Sequence, residues 1–284
     1  MNKQEVIVSY SLQGMAKFGK VIILVCAGIL FAKPLPNPKV FSFGEVVLDA
    51  KHIVYEQKNP TIPYTGKVRS FYRNGTLKEE RNYINGIEEG IRTQWHRSGK
   101  KKSRTLYRKG KKEGLEEKWY SNGQKKSEIY FHEGKRDGSV VLWYKSGERM
   151  LRYHFKNGKY DGENISWYKN GVKKSVEHYK NGKKEGLFAV YAEDGTFRER
   201  MHYKDDKLHG LHEAWYSNGQ KKIEQTYRNG LLDGVEKVWY KNGQMLHEVE
   251  FKNGHRSGIS KYWRREGNLI NNTTYEGGIP VSGN

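Results

Sequence analysis

Three histidines recur at one position of a repeating pattern, because His154, His178 and His202 are evenly spaced along the chain. Histidine is the commonest metal ligand and titrates near neutral pH, so the column suggests a metal site or a pH-sensitive contact patch. If each unit is a two-stranded hairpin, equivalent residues lie about 10 Å apart, whereas Zn²⁺ binds its ligands at about 2.0 to 2.1 Å. We therefore interpret the column as a surface row without a metal. His209 and His212 are expected on opposite faces of a strand or in a turn, which also disfavours a metal site.

A second column is acidic and precedes a glycine in six units. Its members are Glu89, Glu113, Asp137, Asp161, Glu185 and Asp233. A ladder of carboxylates has the ligand chemistry of Ca²⁺. Thr65, His209 and Ser257 occupy the same column, however, and the glycine-aspartate nonapeptide of calcium β-rolls does not occur. Because Lys112 and Arg136 stand directly beside two of the acids, we predict turn residues in local ion pairs.

Lysines dominate the charge of the chain, which is +20. Three adjacent pairs and two tyrosines form our candidate binding surface: Lys125, Lys126, Lys173, Lys174, Lys221, Lys222, Tyr120 and Tyr240. Lysine on the edges of strands protects a sheet against pairing with another sheet, which is the simpler interpretation. The alternative is a long cationic surface for an acidic glycan, lipopolysaccharide or lipid headgroups.

No constellation of residues predicts catalysis. The sequence holds no assignable Ser-His-Asp set, Walker loop or pair of catalytic carboxylates, so we predict no enzyme activity, no cofactor and no small-molecule substrate. An enzyme would require a hydrolase built from the histidine and acidic columns. Tyrosines between the lysines could stack on bases, but no RNP, helix-turn-helix or zinc signature supports nucleic acid. Cys26 is the single cysteine, which excludes an internal disulfide and a cysteine-based zinc site.

These columns belong to a repeat of about 24 residues that occurs nine times, and a fixed period of this length is typical of a repeat architecture. One glycine column stands at 75, 99, 123, 147, 171, 195, 219, 243 and 267. Four residues before it lies an aromatic column: Phe71, Trp95, Trp119, Trp143, Trp167, Tyr191, Trp215, Trp239 and Trp263. A second aromatic column is Tyr83, Tyr107, Phe131, Phe155, Tyr179, Tyr203, Tyr227, Phe251 and Tyr275, each three residues before a second glycine that fails only at Asp206. A third glycine column runs from Gly66 to Gly258.

The glycine spacing predicts one β-hairpin per unit, with strands of about 7 residues. Because Ser98, Ser146 and Glu266 precede the first glycine, we predict a type I turn closed by a G1 bulge. One face is expected to carry Leu115, Trp119, Ile129 and Phe131, and the other Glu116, Lys118, Tyr120, Glu128 and Tyr130. The third glycine fits a position where an aromatic ring lies over bare backbone. The fold class is therefore all-β, an elongated open antiparallel β-meander of a monomer, with the tryptophans as structural aromatics.

Residues 1–63 do not follow the repeat. At 1–32, Lys17 and Lys20 precede the apolar run 21–32, which has the shape of a secretory signal cleaved near Lys33. Met15 is an alternative start, and lipidation at Cys26, an uncleaved anchor and a cytosolic protein remain alternatives.

At 33–63 we predict a linker and β cap, with strands at 40–48 and 51–55 and with Pro60 and Pro63 at an edge or turn. The repeat domain is then 64–284, and residues 279–281 begin a tenth unit. A cap is what the exposed end of such a sheet requires.

Units such as Trp-Tyr-x-Asn-Gly-Gln followed by Tyr-x-Asn-Gly-x-x-x-Gly resemble the MORN-repeat variant, found in bacterial exported repeat proteins and in the YwqK-type antitoxin group. The resemblance covers about residues 61–279. It implies a non-catalytic scaffold that binds a protein partner or an acidic envelope or surface component, in the periplasm, in the cell envelope or secreted. The alternative that it implies is an antitoxin or immunity protein that occludes a partner toxin.

Overall fold

The computed structural model describes residues 40–49 and 51–283, so the signal-like segment 1–32 lies outside the described residues. Within this range the chain forms strands and one 3-10 helix, Phe43–Glu45, without an α-helix. The first strands are β1 Val40–Ser42, β2 Val46–Leu48, β3 Val54–Glu56, β4 Asn59–Pro63, β5 Gly66–Phe71, β6 Leu77–Ile84, β7 Ile87–Glu88, β8 Gly90–Trp95, β9 Lys101–Arg108, β10 Lys111–Trp119, β11 Lys125–His132, β12 Lys135–Trp143 and β13 Arg149–Lys156. The others are β14 Lys159–Tyr160, β15 Gly162–Trp167, β16 Lys173–Lys180, β17 Lys183–Tyr191, β18 Phe197–Lys204, β19 Lys207–Trp215, β20 Lys221–Arg228, β21 Leu231–Leu232, β22 Gly234–Trp239, β23 Met245–Lys252, β24 His255–Trp263, β25 Leu269–Glu276 and β26 Ile279–Gly283. In the described part, no helix has the length and hydropathy of a membrane span.

Strands β5 to β26 form one antiparallel meander in which each strand pairs with the next along the chain. Three of the strands are interrupted for one residue, so β7 and β8, β14 and β15, and β21 and β22 act as single strands. Strand β1 runs parallel to β5 and covers the first edge, while β2, β3 and β4 form a separate antiparallel sheet. The large sheet is open, which confirms the predicted fold class.

The N-terminal cap differs from the prediction. The expected strand at 40–48 is broken by the 3-10 helix, where the Glu45 carboxylate accepts the backbone N–H of Ser42 at 2.7 Å. The second strand begins at Val54 and not at residue 51, because the Asp49 carboxylate accepts the N–H groups of Lys51 and Ile53. Local carboxylates thus compete with the ladder for these donors. Both prolines lie on β4, which pairs only with β3 and is an edge strand as expected.

The turns at the first glycine column, here called the first turns, have the predicted geometry. In the unit around Gly123, the backbone N–H of Gly123 donates to the Tyr120 carbonyl and that of Tyr120 donates to the Gln124 carbonyl, each at 2.9 Å. Gly123 has φ +97°, whereas the two residues before it do not enter the positive-φ region. A type I turn with a G1 bulge has this pattern, and glycine avoids the steric cost that other residues meet there.

The turns at the second glycine column, here called the second turns, are two-residue type I′ turns. Both central residues have positive φ, for example Asn157 at 50° and Gly158 at 81°. Successive second turns are joined, because the N–H of Gly158 donates at 2.8 Å to the carbonyl of Arg136, which lies just after the preceding second turn. The same bond recurs at the other second turns, including Asp206, which lacks a glycine.

The register places the two aromatic columns on opposite faces, which corrects the prediction. Glu116 lies opposite Ile129, and Gly114 lies opposite Phe131, whereas Leu115 lies opposite Tyr130. The G1 bulge adds one residue to the hairpin, so odd residues of β10 face even residues of β11. We call the side with Glu116, Ile129 and Phe131 the core face. The side with Leu115, Glu117, Trp119 and Glu128 is the tryptophan face.

Packing is concentrated on the core face. Ile129, Val140 and Phe155 form a buried cluster against Leu142 and Tyr153, and a second cluster joins Val54 and Tyr64 of the cap to Val68 and Tyr83 of the first repeat. None of the seven tryptophans is buried, although they were predicted as structural aromatics, with Trp119 on the same face as Ile129 and Phe131. They lie beside the first turns on the tryptophan face, where charged neighbours and solvent surround them, because a single sheet has no second layer to cover that face.

Candidate binding surface on the turn edges

In six units a tyrosine follows the residue of the first aromatic column and fixes the first turn of the next unit. Tyr120 Oη donates to the Trp143 carbonyl at 2.8 Å, and Tyr240 Oη donates to the Trp263 carbonyl at 3.0 Å. Tyr72, Tyr144, Tyr168 and Tyr216 make the equivalent bond. The two tyrosines nominated as binding residues therefore also have a structural role, since their hydroxyl groups hold neighbouring repeats together.

A cation lies over the ring of each of these tyrosines. The ammonium groups of Lys126, Lys174 and Lys222 lie 5.5, 5.7 and 5.9 Å from the ring centroids of Tyr120, Tyr168 and Tyr216. The other three tyrosines carry Arg97, Lys169 and Arg265 in the same way. Lys126, Lys174 and Lys222 are exposed. The first turns thus present a row of tyrosine and cation pairs, which a single anionic polymer or surface can contact.

The adjacent lysines Lys125 and Lys221 point to the tryptophan face and are held there. Lys125 Nζ lies 2.8 Å from a Glu117 carboxylate oxygen and also binds Glu128. Burial disfavours the charge of Lys125, but these two hydrogen bonds outweigh it and raise the pKa of the ammonium group. Lys221 has the same arrangement with Glu213 and Glu224. Lys173 is exposed, and within the described residues it has no acidic partner at ion-pair distance.

The acidic column caps the second turns. The carboxylate of Glu113 accepts the backbone N–H of Glu133 at 2.9 Å, and that of Asp161 accepts the N–H of Asn181 at 2.9 Å. The bond from the Glu133 backbone is the main cause that lowers the pKa of Glu113, followed by the His132 ring. The column lies within strands or at their one-residue interruptions, so the prediction of turn residues is wrong. Its main contact is the backbone of the next second turn and not an adjacent lysine or arginine.

The histidine column also contacts the backbone. The Nδ1 atoms of His154, His178 and His202 lie 2.9 to 3.2 Å from carbonyl oxygens of the neighbouring strand. Their rings cover the third glycine of that strand, so a Cβ added to Gly162 would lie 3.4 Å from the Cβ of His154. His212 binds Gln225 and Glu199, while His209 lies on β19 and its Nδ1 accepts the backbone N–H of Asn229 in the next second turn. No group of three metal-ligating side chains occurs among residues 40–49 and 51–283.

The third glycine column is required by a β-bulge. The sequence analysis explained this requirement only in part. Gly138 lies opposite Phe155 in the ladder, as expected from the aromatic neighbour, and has φ +106°. A Cβ added to Gly138 would lie 3.2 Å from the Cβ of Tyr130. Tyr130, and not the Phe155 ring, therefore fills that side of the glycine.

Charged residues on the core face were missed by sequence reasoning. Glu116 is 3% exposed, and its carboxylate binds Lys112 at 2.6 Å and Lys118 at 3.0 Å. Burial acts to raise the pKa of Glu116, but the two lysines outweigh burial and lower it. Glu79 is similarly buried beside Arg81 and Arg92. The only sequence signal was that Glu116 lies between Lys112 and Lys118. This signal indicates a buried ion pair only when the face on which Glu116 lies is known.

In the middle of the sheet the core face forms an open depression lined by apolar and basic side chains. Its volume is about 330 Å³, and its lining includes Ile129, Val140, Leu142, Leu151 and Tyr153. Aromatic rings continue along this face, since Tyr160 lies 4.6 Å from Phe155 and 5.1 Å from Tyr179 between centroids. The lining also includes Tyr120 and Lys126, so the depression adjoins the first-turn row at that unit.

Comparison with known protein families assigns five of these hairpins to a repeat family. Five segments of the chain, residues 64–85, 112–133, 160–181, 208–229 and 232–253, match the family model described as MORN repeat variant. No curated protein sequence matches the chain. The narrower YwqK-type antitoxin grouping receives no support and stays a hypothesis. The family is generally non-catalytic, which agrees with the absence of a catalytic constellation in the sequence. The five matched hairpins are therefore repeats of the MORN variant type.

Proposed function

We propose that this protein is a non-catalytic repeat scaffold that binds an extended acidic component of the cell envelope or surface. The observation that carries the proposal is the row of exposed Lys126, Lys174 and Lys222 over tyrosine rings on the first turns. Each contact alone is weak and screened by salt. Contacts repeated along a rigid sheet add up to avidity when one partner spans several of them.

The test compares one and three charge reversals. Lys126→Glu is expected to weaken binding modestly, and the triple reversal of Lys126, Lys174 and Lys222 is expected to weaken it far more. The probes are phosphatidylglycerol vesicles, lipopolysaccharide and chondroitin sulfate, each titrated over a range of salt concentrations. Binding of any probe should weaken steeply as salt rises. If no probe shows salt-sensitive binding, or if the single and triple variants behave alike, the proposal is wrong.

The proposed location outside the cytoplasm depends on the sequence of residues 1–32 alone. We expect the mature chain to begin near Lys33, and a mass measurement of the protein from the native cell would check this. An intact Met1 or Met15 on a cytosolic protein would contradict export without affecting the binding proposal.

A second candidate function is supported by the open depression on the core face. A partner toxin that docks there would be occluded as by an antitoxin or immunity protein, with a local hot spot in place of distributed charge. In that case Leu142→Glu in the lining would abolish binding, salt would have little effect, and reversal of Lys174 and Lys222, which do not line the depression, would be tolerated.

A further inference from the structure

The second turns carry a feature that the proposed function does not use. In five consecutive second turns, both residues that close the turn are basic, and they lie directly opposite each other in the ladder. The pairs are Arg108 with Lys111, His132 with Lys135, Lys156 with Lys159, Lys180 with Lys183, and Lys204 with Lys207. A sixth pair, Lys252 with His255, follows after one interruption at Leu231. All of these basic residues are exposed.

This arrangement is unfavourable for the free protein. Like charges directly opposite each other on neighbouring strands destabilise a sheet. Carboxylates relieve few of them: within the described residues, acidic partners at ion-pair distance occur only for His132 and Lys183. Lys156, Lys159 and Lys180 have none there. The fold therefore gains nothing from these charges that uncharged polar residues would not supply.

Protection of strand edges does not explain the charges either. Every strand that carries a basic closing residue pairs with a neighbour on both sides, so its backbone groups are already bonded. The closing pairs nearest the two ends of the sheet, Ile84 with Ile87 and Glu276 with Ile279, carry no basic residue. The charges thus occupy the interior turns, where no unpaired edge exists.

The geometry selects a partner that is linear and regularly charged. Adjacent second turns are two strand spacings apart, about 10 Å, and hydrogen bonds such as Gly182 N–H to the Tyr160 carbonyl keep them in register. Between Arg108 and His255, four of the second turns also present an exposed asparagine at the tip: Asn157, Asn181, Asn229 and Asn253. Ammonium groups bind carboxylate or sulfate, and an amide donates to and accepts from hydroxyl groups. None of the four residues of any second turn is Phe, Tyr or Trp, so base stacking is not provided.

We propose that the second turns from Arg108 to Lys252 bind a linear anionic polysaccharide that lies along this edge and places one acidic sugar unit at each repeat. The inference rests on the proposed scaffold function and assigns it a ligand class and one edge of the sheet. Binding would replace repulsion between the like charges with contacts to carboxylate or sulfate groups. Binding should therefore stabilise the turns. Each engaged turn should add a similar increment, because its geometry is the same.

The experiment neutralises four lysines on either edge of the full chain. The test variant carries Lys156→Gln, Lys159→Gln, Lys180→Gln and Lys183→Gln. The matched control carries Lys126→Gln, Lys173→Gln, Lys174→Gln and Lys222→Gln, which removes the same charge from the first turns. Chondroitin sulfate is the probe, with poly(dT) and phosphatidylglycerol vesicles as comparators. Melting temperature without ligand is the second readout.

We expect the test variant to lose at least about tenfold in affinity for chondroitin sulfate, with a shallower salt dependence. The first-turn variant removes lysines that serve the proposed function, so it should also weaken binding, but by less than the test variant does. Without ligand, the test variant should melt no lower than the wild type, because the like-charge pairs are gone. If only the control variant loses binding, the inference is wrong and the scaffold function stands. If poly(dT) or the vesicles bind more tightly than chondroitin sulfate, the polysaccharide assignment is wrong. If nothing binds in a salt-sensitive way, both proposals fail.

Discussion

Lys125 and Lys126 are neighbours in the sequence, yet the sheet gives them different roles. Lys125 binds two glutamates on the tryptophan face, and Lys126 lies over Tyr120 at the exposed turn edge. Adjacent residues of a strand point to opposite faces, so a lysine pair supplies one structural cation and one free cation. The same division occurs at Lys221 and Lys222. Charge alone therefore does not identify a binding residue, and its ladder partners must be known.

Large aromatic residues should differ in their contribution to stability according to their face. Phe155 is buried against Tyr160, so Phe155→Ala should lower the free energy of unfolding by about 3 to 5 kcal/mol. Trp167 remains partly exposed on the tryptophan face, so Trp167→Ala should cost about 2 kcal/mol despite its larger ring. Denaturant titration of both variants measures this order. A larger loss at Trp167 would mean that something covers the tryptophan face in solution.

The buried Glu116 gives a pH dependence with a definite sign. Because its folded pKa is lowered below the ordinary 4.5, its ion pairs stabilise the fold above that pH, and this stabilisation is lost as pH falls through the folded pKa. Glu116→Gln should cost about 1 to 3 kcal/mol at neutral pH, since Lys112 and Lys118 lose their partner. The difference from the wild type should shrink in acid. Glu133→Gln, at an exposed turn tip, is the control and should change little at either pH.

Each hairpin depends on glycine for two separable reasons, positive φ and available space. Gly138 has φ +106°, and a Cβ there would stand 3.2 Å from the Cβ of Tyr130. Gly171 has φ +83°, with nothing within 4 Å of an added Cβ. Gly171→Ala should therefore cost about 1 to 2 kcal/mol from backbone conformation alone. Gly138→Ala should cost more and lower the melting temperature further. Equal losses would show that the bulge adjusts to a side chain.

Much of the hairpin was predictable because its signals are local. The first turn followed from Gly123 and its counterparts, since an invariant glycine after variable residues indicates one positive φ. The face assignment failed because one extra bulge residue reverses the pairing of Leu115 and Ile129, and sequence spacing does not show pairing. The link from Tyr120 Oη to Trp143 was also missed, since it joins two neighbouring repeats through a backbone carbonyl. Long-range partners of this kind require the register.

As a whole, the described sheet is a one-dimensional array in which each repeat contacts its neighbours. First turns are joined by tyrosine hydroxyl groups, second turns by backbone N–H groups and carboxylates, and the core face by successive rings. In such an array, stability and binding both scale with the number of units. The two rows of turns then offer parallel basic edges that lengthen with the sheet.

Deletion of one complete unit tests this account most directly. Removal of residues 142–165 joins Val141 to Ser166, which occupies the same position of the repeat as the deleted Leu142. It also deletes one basic closing pair, Lys156 with Lys159. We expect a folded protein with a modestly lower melting temperature and with weaker binding of chondroitin sulfate. The slope of log Kd against log salt should fall by about two, because two of the five basic residues in the deleted segment form the closing pair that binds the ligand. Lys156→Gln with Lys159→Gln in the full chain should give the same change. Loss of folding, or an unchanged salt slope in a folded deletion variant, would contradict a scaffold whose repeats bind independently and additively.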